Sequence, residues 1–444
     1  MNIKQFEDKG LAHFSYAVLA DKKVILVDPA RNPQPYYDYA KENGAEIIGV
    51  IETHPHADFV SSHLEIHNKT GATIYISEKV GADYPHQAFD EGDEIKLSDT
   101  VKLRALFTPG HSPDGISIVL SEDGTDKAVF TGDTLFIGDV GRPDLREKAG
   151  KMQAKREELA RMMYQSTRDK LMKLDDDVIV YPAHGSGSLC GKGMSDANSS
   201  TIGAEKSTNY ALQDMSEDKF VDMLLEDQPF IPKYFPYNVD LNKQGAPNYK
   251  DSINKVVRMQ ENFIPEEGAV IVDTRKAEQY KSSHLEGAVN IMEGDKFETW
   301  LGSIIAPQES FYMVADSDDD LKTVIQKAAK IGYELNIKGS FIYNLNDGKG
   351  FDDFDKESFK NNKEAYTILD IRNTSEVKND PKFGSAINIP LPELRERVTE
   401  IPNDKPIVVH CAGGYRSAAG SSIVKNHFED KTVMDMSEAI KELS

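Results

Sequence analysis

The apolar positions in the first half of the chain fall into short runs separated by turn residues. Three such runs, SYAVLA, KVILVD and IIGVIET, begin after Phe14, and the pattern between the second and third predicts a helix over Gln34–Glu42. Further strands are predicted at residues 72–77, 101–108, 116–120, 128–131 and 178–181, and one long helix at about residues 152–174. Strands outnumber helices, which favours a layered αβ domain.

Two similar segments follow a stretch without regular periodicity. Residues 228–249 are rich in Pro, Asn, Tyr and Phe, so we place the end of the first domain near residues 243–251. Residues 268–291 and 366–389 then resemble each other: each has a buried-type strand ending in Asp-x-Arg and a later Asn-Ile. A second apolar strand, FYMVAD or PIVVHC, and a helical pattern follow in each. This alternation favours parallel sheets covered on both faces.

The pattern therefore predicts an α/β multidomain protein, with the two repeats separated inside the acidic stretch 346–364. The predicted domains are residues 1–245, 251–350 and 355–444, and the last two are called the first and second repeat. A length of 444 residues agrees with about three domains.

Charge and cysteine content exclude several functional classes. The formal net charge is −22, from 52 basic and 74 acidic residues, which argues against a broad electrostatic surface for nucleic acid or anionic lipid. We find no secretory signal and no apolar run of about 18 residues, so we expect a cytoplasmic protein without a membrane span. Two cysteines, Cys190 and Cys411, rule out a disulfide scaffold.

Four of the predicted strands each end in a motif that contains histidine or aspartate. The motifs are THPHAD at residues 53–58, TPGH at 108–111, TGD at 131–133 and YPAH at 181–184. Because the carboxyl ends of strands in αβ folds commonly form the site, we expect these side chains to lie together. Imidazoles and carboxylates are ligands of first-row metals. Surface histidines on unrelated loops are the alternative, and four coordinated placements argue against it.

This pattern resembles the metallo-β-lactamase superfamily over about residues 1–240, which implies an αββα metallo-β-lactamase fold. The positions that match its motifs are His54, His56, Asp58, His111, Asp133 and His184. One position departs, because Phe59 stands where dinuclear members carry His. That departure leaves Asp58 and His184 short of a partner for a second metal. Two imidazoles and one carboxylate remain, the composition of the facial triad of non-haem Fe(II) oxygenases.

The departure at Phe59 and the segment GDVGRPD at residues 138–144 are similar to the persulfide dioxygenase branch of the superfamily. The resemblance implies one Fe(II) per chain and oxidation of a thiol persulfide by O₂ to sulfite and a thiol. The implied iron ligands are His54, His111 and Asp133, and the side chains implied to orient them are His56, Asp58 and His184. Arg142 is a candidate to bind an anionic group of the substrate, with a helix cap or salt bridge as the alternative.

Zinc is the rival metal at this site. A Zn-dependent thioester hydrolase of the glyoxalase II type uses Zn-bound hydroxide, and it ordinarily draws on the position that Phe59 fills here. We therefore expect iron, with the hydrolase as the alternative.

The second cysteine lies in the loop HCAGGYRS, residues 410–417, directly after a predicted strand and before a helical pattern. The N–H groups of such a loop converge on one sulfur, where they stabilise an anion or a persulfide. The loop resembles that of rhodanese sulfurtransferases, Cys plus four residues plus Arg, with Asp370-x-Arg372 upstream. A Cys-x₅-Arg phosphatase would need one more residue. The resemblance implies that Cys411 carries sulfur with Arg416 and that the substrate binds at Gly413, Gly414 and Tyr415.

The first repeat keeps the frame, but Asp316 stands where the cysteine would follow its strand. A carboxylate cannot carry sulfur, so we expect an inactive rhodanese-like unit that acts as a spacer or docking surface. Cys190 lies six residues past His184 in a glycine-rich loop. It is a candidate to take sulfur as a persulfide near the iron, and an incidental small residue is the alternative.

The complete order of units resembles the bacterial persulfide dioxygenase–sulfurtransferase fusion family over essentially the full length. That resemblance implies sulfide detoxification, in which sulfite accepts the sulfur held on Cys411 to give thiosulfate. The expected partners are a small-molecule thiol persulfide and O₂, with no nucleic acid and no membrane, in a homo-oligomer. The carrier thiol, whether coenzyme A, bacillithiol, glutathione or cysteine, stays open, and so does the order of sulfur transfer. A sulfur-sensing scaffold without turnover is the alternative of a different class.

Overall fold

The computed structural model describes residues 1–145, 155–346 and 348–443. The chain divides into two compact units. Unit 1 comprises Met1–Ser252 with Ala329–Gly332, and unit 2 comprises Ile253–Ala328 with Tyr333–Ser444. Within the described ranges, no helix is both long and apolar enough to span a bilayer.

Unit 1 contains two six-stranded sheets, a two-stranded sheet formed by β11 and β12, and the helices that cover the two large sheets. Its strands are β1 Asn2–Asp8, β2 His13–Ala20, β3 Lys23–Val27, β4 Glu46–Ile51, β5 Thr73–Ile76, β6 Gln87–Ala88, β7 Glu94–Lys96, β8 Val101–Phe107, β9 Ile116–Glu122, β10 Thr125–Gly132, β11 Leu135–Phe136, β12 Asp139–Val140, β13 Ile179–Pro182 and β14 Ser200–Thr201. Its helices are α1 Gln34–Glu42, α2 His63–Thr70, α3 Arg156–Gln165, α4 Ile202–Thr208, α5 Glu217–Leu225, α6 Tyr234–Gln244 and α7 Tyr249–Asn254. The sheet orders are β1-β2-β3-β4-β5-β6 and β14-β13-β10-β9-β8-β7.

The two sheets pack face to face, with helices on both outer sides. Apolar side chains of β2, β3 and β4 meet those of β8, β9 and β10 in one buried cluster, in which Val27, Ile118 and Phe130 take part. Helices α1 and α2 cover the outer face of the first sheet, and α3 and α5 cover that of the second. This arrangement confirms the predicted αββα fold. The predicted helix α1 also has the expected bounds.

The long helix predicted at residues 152–174 is helical over nearly all of its described part, but its type changes along its length. Its start, residues 152–154, lies outside the described residues. The α-helical part, α3, ends at Gln165 and continues as a wider π turn, Ser166–Lys170, and then as a tighter 3-10 turn, Leu171–Lys173. The Thr167 hydroxyl donates to the backbone oxygens of Met163 and Tyr164, and the Ser166 hydroxyl donates to that of Pro109. The periodicity of the sequence carries no signal for these hydroxyl bonds, which tie α3 to the loop that carries His111.

The stretch 228–249 contains a helix, α6, that the lack of periodicity did not predict. Its Asn242 side chain explains why this helix forms where it does. The amide donates to the backbone oxygens of His56 (2.8 Å) and Phe59 (2.7 Å) and accepts from the Ser61 backbone N–H (2.8 Å). Helix α6 therefore stabilises the histidine-rich loop after β4 through hydrogen bonds to the loop backbone.

Unit 2 contains two four-stranded parallel sheets, one for each repeat. The first repeat contributes β15 Val270–Asp273, α8 Ala277–Ser282, β16 Ala288–Asn290, α9 Phe297–Ile304, β17 Phe311–Ala315, α10 Asp318–Lys330 and β18 Ile337–Ile342. The second contributes α11 Lys356–Asn361, β19 Thr367–Asp370, α12 Thr374–Asn379, β20 Ile387–Asn388, α13 Leu394–Arg397, β21 Ile407–His410, α14 Tyr415–His427, β22 Val433–Asp435 and α15 Ile440–Leu443. The sheet orders are β16-β15-β17-β18 and β20-β19-β21-β22. Equivalent strands of the two repeats therefore occupy the same places in their sheets.

Candidate metal centre and cysteine loop

Three side chains predicted as metal ligands meet at the carboxyl ends of β4, β8 and β10. The imidazole Nε2 atoms of His54 and His111 lie 3.8 Å and 3.4 Å from Oδ2 of Asp133. All three side chains are buried, and their ligand atoms lie within 4.8 Å of one another. Neither carboxylate oxygen of Asp133 meets the geometry of a hydrogen bond among the described residues. Buried oxygens facing two imidazoles fit a metal ion with two nitrogen ligands and one oxygen ligand.

Neighbouring groups orient these ligands. The backbone oxygen of Arg142 lies 2.8 Å from His111 Nδ1, which turns Nε2 toward Asp133. The Thr53 hydroxyl lies 3.0 Å from His54 Nδ1 and donates to Asp28 Oδ2 (2.8 Å). Burial lowers the pKa of His111, so the ring is neutral, the form in which imidazole binds a metal.

A second trio, His56, Asp58 and His184, lies beside the first, and its ligand atoms also come within 4.8 Å of one another. His184 Nε2 is 3.3 Å from Asp58 Oδ2 and 3.6 Å from Asp133 Oδ1. Although burial lowers it, the carboxylates of Asp58 and Asp133 together raise the pKa of His184 to about 9. The sequence pattern left Asp58 and His184 without a further ligand for a second metal, and the structure places His56 beside them.

Phe59 fills the remaining side of this second trio. Its ring centroid lies 3.8 Å from that of His13 and 4.3 Å from that of His56, and the side chain is almost completely buried. The imidazole of His56 also contacts two carboxylates: its Nε2 lies 3.1 Å from Asp28 Oδ1 and 3.6 Å from Glu52 Oε2. An apolar ring therefore packs against this second trio, at the sequence position where dinuclear members of the resembled superfamily carry His.

Arg142, the candidate for binding the substrate, is held by the protein itself. Its guanidinium donates two hydrogen bonds of 2.7 Å to Asp144 and further ones to the backbone oxygens of Leu189 and Phe230. The side chain is 1% exposed. In this structure Arg142 fixes the loop that carries Cys190 against the segment beside the metal ligands.

Cys190 lies at the metal centre. Its sulfur comes within 4.8 Å of ligand atoms of Asp133 and His184, and the residue is 1% exposed. Burial, followed by the charges of Asp58 and Asp133, raises the pKa of Cys190 well above its usual value. This group is therefore a neutral thiol at neutral pH.

Cys411 lies in the loop between β21 and α14, where the sequence places it. The Gly414 N–H donates to its sulfur at 3.2 Å, and Gly414 takes φ +99°, a backbone conformation that favours glycine. Arg416 forms a two-point ion pair with Glu376, at 2.6 Å and 2.8 Å. Gly413 is exposed at the loop's tip, whereas the sulfur of Cys411 is buried. The loop thus holds a buried sulfur at the start of α14, with the Gly414 N–H pointing at it.

The first repeat has the same frame with different chemistry. Asp273 pairs with Arg275 just as Asp370 pairs with Arg372, each with a shortest contact of 2.6 Å. Asp316, which occupies the register position of Cys411, accepts a hydrogen bond from Gln279 (3.0 Å). In this repeat an exposed carboxylate thus follows the strand at the position where the second repeat has its cysteine.

Sequence reasoning missed several residues that build these sites. Asp28, Glu52 and Asn242 surround the histidine loop, and Glu376 and Trp300 contact Arg416. Glu376 carries a signal, because it follows Asp370 by the same six positions that separate Gln279 from Asp273. Asn242 and Trp300 carry none, since each acts on a loop more than a hundred residues away.

Comparisons with known proteins agree with this architecture. Residues 8–184 match the model of the metallo-beta-lactamase superfamily, and residues 258–348 and 355–443 match that of the rhodanese-like domain. A solved structure of a metallo-beta-lactamase from Staphylococcus aureus subsp. aureus COL is 30% identical, with a TM-score of 0.69, and the match covers 77% of this chain and 98% of that one.

Two curated relatives match the first unit at nearly equal identity. The human mitochondrial persulfide dioxygenase ETHE1 is 29% identical over 187 residues, which are 41% of this chain and 67% of that protein. The hydroxyacylglutathione hydrolase of Polaromonas sp. is 28% identical over 176 residues, which are 39% of this chain and 62% of that protein. Identity alone therefore does not separate an oxygenase from a thioester hydrolase.

Proposed function

Because this chain belongs to the metallo-β-lactamase superfamily and carries rhodanese-like domains behind that fold, we propose that it is an Fe(II) persulfide dioxygenase coupled to a sulfurtransferase. The observation that carries the proposal is the trio His54, His111 and Asp133, beside a second trio that Phe59 closes off. Two imidazoles and one carboxylate leave open coordination positions for both O₂ and a sulfur ligand. The proposed substrates are a low-molecular-weight thiol persulfide and O₂.

Fe(II) bound by this trio supplies the redox chemistry that lets O₂ react with a persulfide sulfur. The protein supplies a buried, pre-oriented pocket: Thr53 and the Arg142 carbonyl fix the ligand rings. Although burial lowers it, the pKa of His184 is raised to about 9 by the carboxylates of Asp58 and Asp133, and a protonated imidazole beside the centre would favour an anionic persulfide or sulfite there. The overall reaction consumes RSSH, O₂ and water and yields RSH, sulfite and two protons.

The Cys411 loop completes the proposed sequence. Sulfite attacks the outer sulfur of a persulfide on Cys411, a new S–S bond forms, and the bond to the cysteine sulfur breaks with its electron pair left on Cys411. Thiosulfate leaves, and the loop N–H groups stabilise the thiolate that remains. Sulfide detoxification is the process that this pair of reactions would serve.

A Zn-dependent thioester hydrolase is the second candidate, and a specific observation favours it. The hydroxyacylglutathione hydrolase relative is as similar as the persulfide dioxygenase relative, at 28% and 29% identity. The two candidates differ in their metal and in their need for O₂, so one experiment separates them.

The test combines elemental analysis with O₂ consumption by the full chain supplied with a thiol persulfide. We expect about one Fe per chain and O₂ uptake that depends on the persulfide. His111→Ala should lose both, whereas His86→Ala, which changes a histidine paired with Glu78 outside the centre, should keep both. Bound Zn, no O₂ uptake and hydrolysis of S-lactoylglutathione would overturn the dioxygenase in favour of the hydrolase.

A further inference from the structure

We propose that Glu376 determines which sulfur donor the Cys411 site accepts. Its fixed carboxylate offsets the charge of Arg416, so the site takes sulfur from a thiol persulfide and discriminates against small dianions such as thiosulfate. The inference rests on the proposed sulfurtransferase function of Cys411 and names the class of donor that loads it. Glu376, Arg416 and Cys411 all belong to unit 2.

The carboxylate of Glu376 is held in place from two directions. The Arg416 guanidinium donates to both of its oxygens, from Nη1 to Oε2 at 2.6 Å and from Nη2 to Oε1 at 2.8 Å. The Asn373 backbone N–H also donates to Oε2 (3.1 Å), as part of a capping box at the start of α12. Because the helix start fixes the carboxylate, Glu376 cannot turn away from Arg416 without losing this cap.

Both members of the pair carry a charge. Although burial raises it, Arg416 lowers the pKa of Glu376 below its usual value. Although burial lowers it, the pKa of Arg416 is raised by Glu376 and then by the charge of Cys411, so Arg416 lies close to the sulfur. The Glu376 side chain is the more exposed partner, at 36% against 13%. An anion that approaches Arg416 therefore meets a carboxylate as well as a guanidinium.

Other cations around the loop are also matched by carboxylates. A Cβ on Gly413 would stand 3.9 Å from Cε of Lys441, whose ammonium pairs with Glu438 at 3.0 Å. Arg372 pairs with Asp370 at 2.6 Å. These pairs leave little net positive charge to attract a dianion to the sulfur.

The first repeat shows that the cap itself needs no charge. Gln279 lies at the position equivalent to Glu376, six residues after Asp273. Its amide oxygen accepts from the Lys276 backbone N–H (3.3 Å) in the same kind of capping box. A neutral amide therefore serves this helix start, and we expect Glu376→Gln to fold. What the carboxylate adds is a negative charge beside Arg416.

The two kinds of donor differ in the charge of the reacting group. The Cys411 thiolate attacks the outer sulfur of a persulfide RSSH, a new S–S bond forms, and the old S–S bond breaks with its electron pair on the carrier sulfur. The carrier takes up the proton of the persulfide and leaves as RSH. The same attack on thiosulfate releases sulfite. The persulfide group carries at most one negative charge and thiosulfate carries two, so the carboxylate of Glu376 disfavours thiosulfate more.

The test measures the loading of Cys411 by each donor in the full chain without O₂. The probes are sodium thiosulfate and the persulfide of 2-mercaptoethanol, whose carrier is uncharged. Mass spectrometry of the peptide that contains Cys411, after rapid quenching, gives the rate constants. Glu376→Gln should raise the rate constant for thiosulfate at least about 10-fold and change that for the persulfide by less than about threefold. Loss of support for Arg416 would slow both reactions instead.

Two further variants separate charge from contact. Glu376→Asp keeps the charge and should leave thiosulfate as poor a donor as it is for the wild type. Glu309→Gln is the matched control, because Glu309 also accepts a backbone N–H, that of Ala306 (2.7 Å), and binds Arg395 at two points of 2.8 Å each. This variant should keep both rate constants within about twofold of wild type.

Inorganic sulfate measures the binding of a dianion without sulfur transfer. It should inhibit loading by the persulfide at a concentration at least about 10-fold lower in Glu376→Gln than in the wild type. Inhibition of the wild type below about 1 mM sulfate would overturn the specificity role without the use of any variant.

The outcomes distinguish two kinds of failure. A wild-type chain in which Cys411 takes sulfur from neither donor overturns the proposed sulfurtransferase, and the inference with it. Normal loading of the wild type by the persulfide, with thiosulfate loading unchanged or slowed in Glu376→Gln, or raised equally in Glu376→Asp, overturns the role of Glu376 alone.

Discussion

Phe59 packs on the second trio of candidate ligands, and we expect this single side chain to keep the centre mononuclear. The ring packs on His56 beside Asp58 and His184, so a ligand atom at this position would complete a second site. We expect Phe59→His to raise the bound metal from about one to about two ions per chain and to lower persulfide-dependent O₂ uptake at least 10-fold. Metal analysis after extensive dialysis measures the first effect. Phe59→Leu is the control, and equal metal content in the two variants would contradict this explanation.

The ion pair of His184 and Asp58 makes the metal-free protein sensitive to alkaline pH. The folded-state pKa of His184, about 9, lies above its ordinary value of 6.5. Its stabilisation is therefore fully present below about pH 6.5 and is lost as the pH rises through 9. Urea unfolding of chelator-treated protein between pH 6 and pH 10 should show a steeper loss of stability than His184→Gln. Parallel curves for the two proteins would show that the pair contributes nothing.

The candidate site residues were predictable because they lie in short motifs at strand ends. His54, His111, Asp133 and Cys411 all belong to such motifs, and the family resemblance selected them as candidate ligands and sulfur carrier. The groups that position them were not predictable in the same way. Asn242 and Trp300 reach their partners only after the chain has folded back over more than a hundred residues. Local patterns hold no information about such pairings, which depend on the packing of whole elements.

At the scale of elements, the apolar pattern of the sequence predicted the buried strands and helix α1 well, whereas it did not predict elements that are partly exposed. Strand β1 alternates exposed and partly buried positions in NIKQFED, and its apolar content is too low to indicate a strand. Helix α6 has Pro236 in its first turn and apolar positions without a clear helical period, yet Asn242 secures it. Tertiary hydrogen bonds decide the structure where hydrophobic periodicity is weak.

The segment after β12 must approach the metal ligands more closely than any side chain allows. A Cβ on Gly141 would overlap the backbone oxygen of Asp133 and stand 3.0 Å from Cβ of His111. Gly141→Ala should therefore displace two ligands, lower metal content at least 10-fold and destabilise the fold by about 1–3 kcal/mol. Gly193→Ala, whose nearest neighbour would be 3.8 Å away, is the matched control for metal analysis and thermal unfolding. Full metal occupancy in Gly141→Ala would refute the close approach.

At the scale of the whole molecule, unit 2 shows a duplication in which structure is kept and chemistry is not. Asn290 donates to the backbone oxygens of Asp273 and Arg275, and Asn388 donates to those of Asp370 and Arg372. These four bonds fix the same turn in both repeats. The residue after the equivalent strand differs, Asp316 in one repeat and Cys411 in the other, and so does the side chain beside it, Gln279 in one and Glu376 in the other.

The division of labour between the units is testable through the products. If O₂ chemistry belongs to His54, His111 and Asp133 and sulfur transfer to Cys411, Cys411→Ser should keep O₂ uptake within about twofold of wild type. Thiosulfate yield should fall at least 10-fold and sulfite should accumulate in its place, since no persulfide remains on the loop for sulfite to attack. Ser437→Ala, next to the same loop but without a sulfur-carrying role, should leave the product ratio unchanged. Separation of sulfite and thiosulfate by thiol-reactive labelling and chromatography gives the ratio directly. Equal thiosulfate from wild type and Cys411→Ser would place the transfer step elsewhere in the chain and leave Cys411 without a part in it.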